Sequence, residues 1–396
     1  MIMAIEQSVR YQATLAQRLA GLLLPCFAYF TIMGIPMIFN AIIVKFNVDS
    51  ATATIATTAE IGCISLLTLS VSAILAKLRP RTTMIVAVSL FLVGEVISIL
   101  TDSFAVVVAA RALAGVGKGL CIGLGLASLA QMQGGIKFLS WVGGVTALIT
   151  WLGFLVVPAL EGTLGMTTIF QFNTILAVIA LPLAFILPGT KIEKLAEKTF
   201  SQGFKVDASN VAVFILCLLA SVACSSGWIY LQQVGEANGL SAPAVGLCAS
   251  VATLVSAIAP FIATAIFAKN KSVWPMFIAT TVLGVCMLEY VKTTVTGWWI
   301  TVIVMSTIYL FLMAYARMYS AYIDSTGRST AAVGSADSLG LLIGPIVIAA
   351  FTDLSQGFGQ LGILGASLQF ACVLPILLLI LRQRRGVASK KIIETH

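Results

Sequence analysis

The sequence predicts an all-α protein that crosses a membrane about twelve times, and three observations predict it. Mean hydropathy is +1.05, with 59% apolar and only 10% charged residues, far from the roughly one-quarter charged composition of soluble domains. Apolar runs of about 20 residues recur from Ala20 almost to the C-terminus, each long enough to cross roughly 30 Å of hydrocarbon as a helix. Basic residues gather in alternate connections between those runs. Alternating strand patterns are absent, which argues against an outer-membrane barrel.

The runs place the first six spans at Ala20 to Val44, Thr52 to Ala76, Thr82 to Thr101, Phe104 to Leu129, Phe138 to Leu160 and Met166 to Leu187. Six more follow at Val211 to Val234, Ala242 to Ala268, Val273 to Val291, Gly297 to Ile323, Thr330 to Phe351 and Phe358 to Leu381. This divides the chain into a six-helix half over residues 1–188, a linker over 189–209 and a second six-helix half over 210–396, ending in a basic tail. Ile192, Leu195 and Phe200 interleave with Glu193, Lys194, Glu197 and Lys198, the pattern of a helix lying in the membrane interface. The first run has a polar start (Glu6, Arg10, Arg18) and no clear cleavage site, so it reads as a true span.

The formal charge of +8 would suggest nucleic-acid binding in a soluble protein, but its placement points to the membrane instead. Lys77, Arg79, Arg81, Lys137, Lys205, Lys269, Lys271, Arg328 and Arg382 all fall on one side of the predicted topology. The other side holds Lys45, Lys292 and acids such as Asp49 and Glu161. By the positive-inside rule both termini face the cytoplasm, and the expected location is the inner (plasma) membrane. No nucleic-acid partner is expected.

All eight cysteines lie singly inside apolar runs without a CxxC pair, which argues against disulfides and against a cysteine metal site. The one histidine, His396, is the last residue, so no histidine chemistry is available within the membrane. No metal or cofactor is expected, and the working unit is expected to be a monomer.

Short motifs sharpen the class. The fourth span carries Arg111, Gly115 and Gly117 at R-x-x-x-G-x-G spacing. The connection from Ala73 to Arg81 fits a G-x-L-A-D-R-x-G-R loop at Leu75, Ala76 and Arg81, with Lys77 in place of its aspartate and Pro80 in place of its second glycine. The eleventh span reads G-x-x-x-G-P from Gly340 to Pro345. In these motifs and in its two-half plan the chain resembles the major facilitator superfamily of secondary transporters, and the fourth-span pattern resembles its drug and metabolite antiporters. That resemblance implies a solute site between the halves near the midplane, lined in part by the fourth and tenth helices.

Buried charges group by depth, at about 1.5 Å per residue. Glu60, Glu95 and Arg111 share one layer, and Arg317 and Asp337 share another. Charge at such depth is costly enough that pairing within a layer is expected, Arg111 with Glu95 or Glu60 and Arg317 with Asp337. Lys118, two turns after Arg111, has no acid at its own depth and is expected to face the cavity as an unpaired cation. Glu60, Glu95 and Asp337, with Arg111, are the proton-coupling candidates. Lys118 and Arg317 are the cavity cations, and Tyr29, Asn40, Trp228, Tyr230, Gln232, Tyr315 and Tyr319 are candidates to stack on or hydrogen-bond a solute. Trp298 and Trp299 read as belt residues at a membrane edge.

An ATP-driven pump needs a phosphate loop. The nearest candidate, around Lys118, has Ala112 and Gly119 where glycine and serine or threonine are required, and it lies inside a span. GxSxG and HExxH are missing, so an intramembrane enzyme is not predicted. Paired charges in both halves suit alternating access better than a continuous pore. The leading expectation is proton-coupled efflux of a small organic solute, a drug or metabolite; the alternative is uptake of an organic anion by proton symport.

Overall fold

The computed structural model describes residues 11–48, 50–190, 207–291, 293–351 and 358–394. Most of the 189–209 linker, with its expected interfacial helix, lies outside the described residues.

Seventeen helices follow one another in the described residues. In the first half these are α1 (Leu15–Met33), α2 (Ile35–Phe46), α3 (Ser50–Ile74), α4 (Pro80–Leu100), α5 (Phe104–Gln131), α6 (Gly135–Leu164) and α7 (Thr168–Ile186). In the second half they are α8 (Ala208–Ile229), α9 (Leu231–Ala237), α10 (Ala242–Ser256), α11 (Ala259–Lys269), α12 (Trp274–Tyr290) and α13 (Val295–Ile323). The chain continues through α14 (Arg328–Gly334), α15 (Ala336–Phe351), α16 (Gly359–Ala371) and α17 (Val373–Glu394). Nine helical stretches among the described residues are long and apolar enough to cross a membrane, and Met37–Phe46, Ile55–Val71 and Trp274–Tyr290 are shorter apolar ones.

Several runs that hydropathy reads as single spans are broken into two helices. Proline explains three of the breaks: Pro36, Pro260 and Pro375 have no N–H to give the carbonyl four residues back, so α2, α11 and α17 each restart around one. At its other end the first span begins earlier than its apolar run. Thr14 Oγ1 accepts from the Gln17 N–H at 3.2 Å while Gln17 Oε1 accepts from the Thr14 N–H at 3.1 Å, so a capping box starts α1 at Leu15.

Apolar side chains build two cores. One, around Phe30, Ile38 and Phe170, is almost entirely first-half residues; among the described residues, Ala321, Ala331 and Leu341 join it from beyond, with Leu342 packed against it. The other, around Tyr290, Trp298 and Tyr315, is built from the second half and is fringed by Ile136 of α6. Trp298 is therefore no belt residue. It is fully buried and stacked on Tyr290 at 6.0 Å, because Gly235 leaves room for its ring.

Hydrogen bonds that join the halves include Tyr29 Oη to the Gly334 carbonyl at 2.7 Å, Gln131 Nε2 to the Thr326 carbonyl, and a Ser140–Thr264 hydroxyl pair. Gly327, at φ +80°, lets its loop pass directly over the Ala127 carbonyl, where a side chain would have no space. Gln131, Ser140, Thr264 and Thr326 all lie at the end of the bundle that carries Lys137 and Lys269, called the basic end below.

Candidate functional site

Two polar sites are built into the fold. The first is a closed charge cluster where α5 is wedged between α3 and α4. Glycine brings the three backbones together: a Cβ on Gly115 would sit 2.4 Å from the Glu60 carbonyl oxygen of α3, and one on Gly117 2.3 Å from that of Ala87 on α4. At this separation Glu60, Glu95, Arg111 and Lys118 meet, all fully buried. Arg111 Nη2 donates to Glu95 Oε2 at 2.8 Å, and Nη1 lies 3.2 Å from Glu95 Oε1 and 3.4 Å from Glu60. Lys118 Nζ donates to Glu60 Oε1 at 2.7 Å and to Glu95 Oε1 at 2.6 Å. Ser98 Oγ accepts from Arg111 Nε and Nη2 at 3.0 and 2.9 Å. The ring of Phe170 on α7 lies 4.8 Å from the guanidinium and that of Phe91 4.6 Å from the ammonium.

The expected pairing of Arg111 within its layer is present, with both acids. The expectation of a lone Lys118 facing the cavity is corrected: it bridges both carboxylates and does not line the cavity. Helical side chains lean toward the N-terminus of their helix, here toward the Arg111 layer, and the long lysine stem together with the Glu60 and Glu95 side chains bridges the separation. Counting depth from Cα positions misses that reach. Gly115, Gly119 and Gly123 pack on α3 within the first half, and Gly340 packs on Ser221 within the second, so they tighten each half instead of forming a sliding contact between halves.

The second site is a cavity of about 120 Å³, measured as the space open to the centres of water-sized molecules, set between the halves. A single water needs roughly 10–15 Å³ on this measure, so the cavity has room for a small organic solute. Its walls come from α1, α6, α8, α10, α13 and α15. Of the predicted residues it brings together Tyr29, Trp228 and Arg317. Arg317 is 3% exposed, with its guanidinium carbon 5.1 Å from the Tyr29 ring centroid. Trp228 Nε1 is a buried donor with no hydrogen-bond partner among the described residues.

Tyr315 and Tyr319 do not line the cavity. Tyr315 Oη reaches the Asn270 and Ser272 carbonyls at 2.9 and 2.7 Å and so pins α13 to the loop after α11, and Tyr319 is buried beside Tyr322. Tyr230 packs instead near Phe358. The side chains of Asn40, Gln232 and Asp337 lie outside the described residues, and with them the expected Arg317–Asp337 pair.

Sequence reasoning missed the hydroxyl-bearing walls: Thr146 and Thr150 on α6, Ser225 on α8, Thr253 and Ser256 on α10, and Ser306 and Tyr309 on α13. Their signal was periodicity. Gly143, Thr146, Ala147 and Thr150 repeat at i, i+3, i+4 and i+7, one small and polar face inside an apolar helix. Four of these hydroxyls are cheap to bury because they donate to nearby carbonyls, Thr150 to Thr146, Thr253 to Ala249, Ser256 to Thr253 and Ser225 to Gly340 at 2.6 Å; Thr146 Oγ1 is not among them.

The family model of the Major Facilitator Superfamily matches residues 21–345. The chain belongs to that superfamily. Among solved structures it is similar to the proton:xylose symporter XylE bound to 6-bromo-6-deoxy-D-glucose, with a TM-score of 0.70 at 14% identity over 92% of this chain and 93% of that one. It is also similar to a bacterial homologue of the iron transporter ferroportin in an outward-facing state, with a TM-score of 0.69 at 13% identity over 92% and 99%. The human organic anion transporter MFSD10 (TETRAN) aligns with a TM-score of 0.67 at 17% identity over 93% and 100%. At such identities the likeness is one of fold. No curated protein matches the sequence. The superfamily consists of membrane transporters, so this chain is a transporter and not an enzyme.

Proposed function

We propose that this protein exports a small organic solute, a drug or metabolite, in exchange for protons, by alternating access at the cavity between its halves. The observation that carries the reading is the cavity itself. It sits where first-half and second-half helices face each other, and inter-half hydrogen bonds cluster at the basic end. With the basic end assigned to the cytoplasm of the plasma membrane, this is an outward-facing arrangement, and residues 1–188 and 210–396 are the rocking units.

The charge cluster is assigned to bracing. Its two acids and two cations sum to zero, and adding a proton would leave a buried net positive charge, which is costly away from water. Proton coupling is therefore assigned to Asp337 on α15, and Glu60, Glu95 and Arg111 become static members of the first half. Everted vesicles test direction and coupling together. An acid lumen is expected to drive solute accumulation that collapses with an uncoupler and is lost in Asp337→Asn. Exit of preloaded solute driven by the acid lumen would instead establish proton symport into the cell. That second reading, uptake of an organic anion, is favoured by Arg317 in the cavity wall.

The latch at the basic end gives a milder expectation. A net hydrogen bond is worth about 1 kcal/mol, so Gln131→Ala should move the population away from the present state by about fivefold. Cys224 lines the cavity and reports it. In a background lacking the other cysteines, an impermeant thiol reagent added outside should label Cys224 more slowly in Gln131→Ala, and an unchanged rate would refute the latch.

A further inference from the structure

We infer that Asp324 is a positioning residue for the transport cycle: it shapes the loop that seats α14 against the first half, and α14 closes the cavity toward the basic end. The inference rests on the alternating-access reading and deepens it, and it holds for either direction of transport.

Asp324 is a buried acid that neither the charge cluster nor the cavity uses, 8% exposed at the end of α13. Its Oδ1 accepts from the Thr326 N–H at 2.9 Å and from the Thr326 hydroxyl at 2.6 Å, and its Oδ2 accepts from the Ser329 N–H at 2.8 Å. The Thr326 hydroxyl oxygen accepts in turn from the Arg328 N–H at 3.3 Å. These donors lie within five residues of the carboxylate, so its bonds fix the path of the loop between α13 and α14. A carboxylate accepts at both oxygens, whereas an amide must turn its NH2 toward donors at one of them.

What that loop touches belongs to the other half. It carries Gly327 over the Ala127 carbonyl and presents the Thr326 carbonyl to Gln131, both on α5. The helix that follows, α14, belongs to the second half by sequence and is shared between the halves in space. Val333 joins the second-half core, but Ala331 joins that of the first half, and a Cβ on Gly334 would sit 2.4 Å from Leu126 of α5 and 3.6 Å from Thr68 of α3. At the far end of α14 the Gly334 carbonyl accepts from Tyr29, whose ring lines the cavity. The helix therefore runs along the seam from the basic end to the cavity wall.

Its remaining ties say how it moves. A Ser320–Thr330 hydroxyl pair at 3.2 Å and the Asp324 N–H on the Ser320 carbonyl at 2.9 Å bind it to α13, while the break at Ser335 separates it from α15. Opening the basic end requires α14 to leave α3 and α5 while staying with α13. Asp324 holds the loop in the shape that meets α5, so weakening its bonds favours the state open at the basic end.

The test uses the full-length protein with Cys224 as its only cysteine, labelled by a membrane-impermeant charged methanethiosulfonate in right-side-out and in everted vesicles. Cys224 lines the cavity, so the ratio of its labelling rates from the basic side and from the opposite side reports which way the cavity opens. Asp324→Asn is expected to raise that ratio on the order of tenfold, the equivalent of one charge-assisted hydrogen bond. Thr326→Val, which removes one donor and keeps the backbone, should raise it about threefold and covers the case in which Asp324→Asn does not fold. A merely structural role would lower the melting temperature without moving the ratio. Rescue is the second readout. Ser140→Cys and Thr264→Cys replace hydroxyls that meet across the halves at the basic end, and oxidising that pair before labelling should return the ratio in Asp324→Asn to the parent value or below. A ratio unchanged in both Asp324→Asn and Thr326→Val, or a raised ratio that the oxidised pair does not lower, would overturn the inference. The outward-facing assignment fails separately: a parent labelled mainly from the basic side would overturn it, while a ratio that still rose in Asp324→Asn would uphold the role of Asp324.

Discussion

Lys118→Met is expected to destabilise the protein by about 3–5 kcal/mol, the cost of stranding one partner of a buried charge network. The geometry predicts which second substitution repairs it. Lys118 is the near partner of Glu60, at 2.7 Å, whereas Arg111 reaches Glu60 only at 3.4 Å and holds Glu95 through both Nη atoms. Adding Glu60→Gln to Lys118→Met therefore restores neutrality and leaves the Arg111–Glu95 fork intact, and most of the lost stability should return. Adding Glu95→Gln restores the same net charge but leaves Arg111 with its distant acid, so it should repair much less. Thermal unfolding of the parent and the three variants in detergent reads this directly. Equal rescue by both second substitutions would show that net charge alone matters and that the pairing geometry does not, while a single variant as stable as the parent would remove the cluster from the stability of the first half.

That cluster also marks how far the sequence could be read. Hydropathy and the placement of lysine and arginine were enough for an all-α membrane bundle, because both follow from the solvent and act residue by residue. Arg111 beside Glu60 and Glu95 was legible too, since charges at one depth in hydrocarbon have few other choices. Lys118 was not, because its partner depends on where a four-carbon stem leans. The cavity was half legible. Tyr29, Trp228 and Arg317 stand out as polar or aromatic residues in apolar runs, but Tyr315 and Tyr319 have the same signature and serve packing instead. Which face of a helix looks across at the other half is set by tertiary packing, and only the repeat of small and hydroxyl residues on α6 carried a local trace of it. The breaks near Pro36, Pro260 and Pro375 were available from proline chemistry, but the restart of the helix at Ser335 has no such marker.

Gly115→Ala is the second large effect, expected at about 3 kcal/mol or more although it adds a single methyl. Overpacking a core by one such group costs typically about 1–3 kcal/mol when neighbours can yield, but here the neighbour is the Glu60 carbonyl oxygen at 2.4 Å, part of a helix backbone. Helices α3 and α5 must move apart, and the same movement pulls the Glu60 side chain from Arg111 and Lys118, which stand four residues before and three after Gly115 on α5. The packing loss and the charge loss are thus one event. The two substitutions Gly115→Ala and Lys118→Met should then be strongly non-additive, the double variant losing little more than the worse single one. Gly62→Ala on α3 is the matched control. A Cβ there meets nothing within 4 Å, so relief of glycine's helix penalty should leave stability unchanged or raised by up to about 1 kcal/mol. If Gly115→Ala proved as mild as Gly62→Ala, α3 and α5 would be free to separate, and the close backbone approach would not be what holds the charge cluster together.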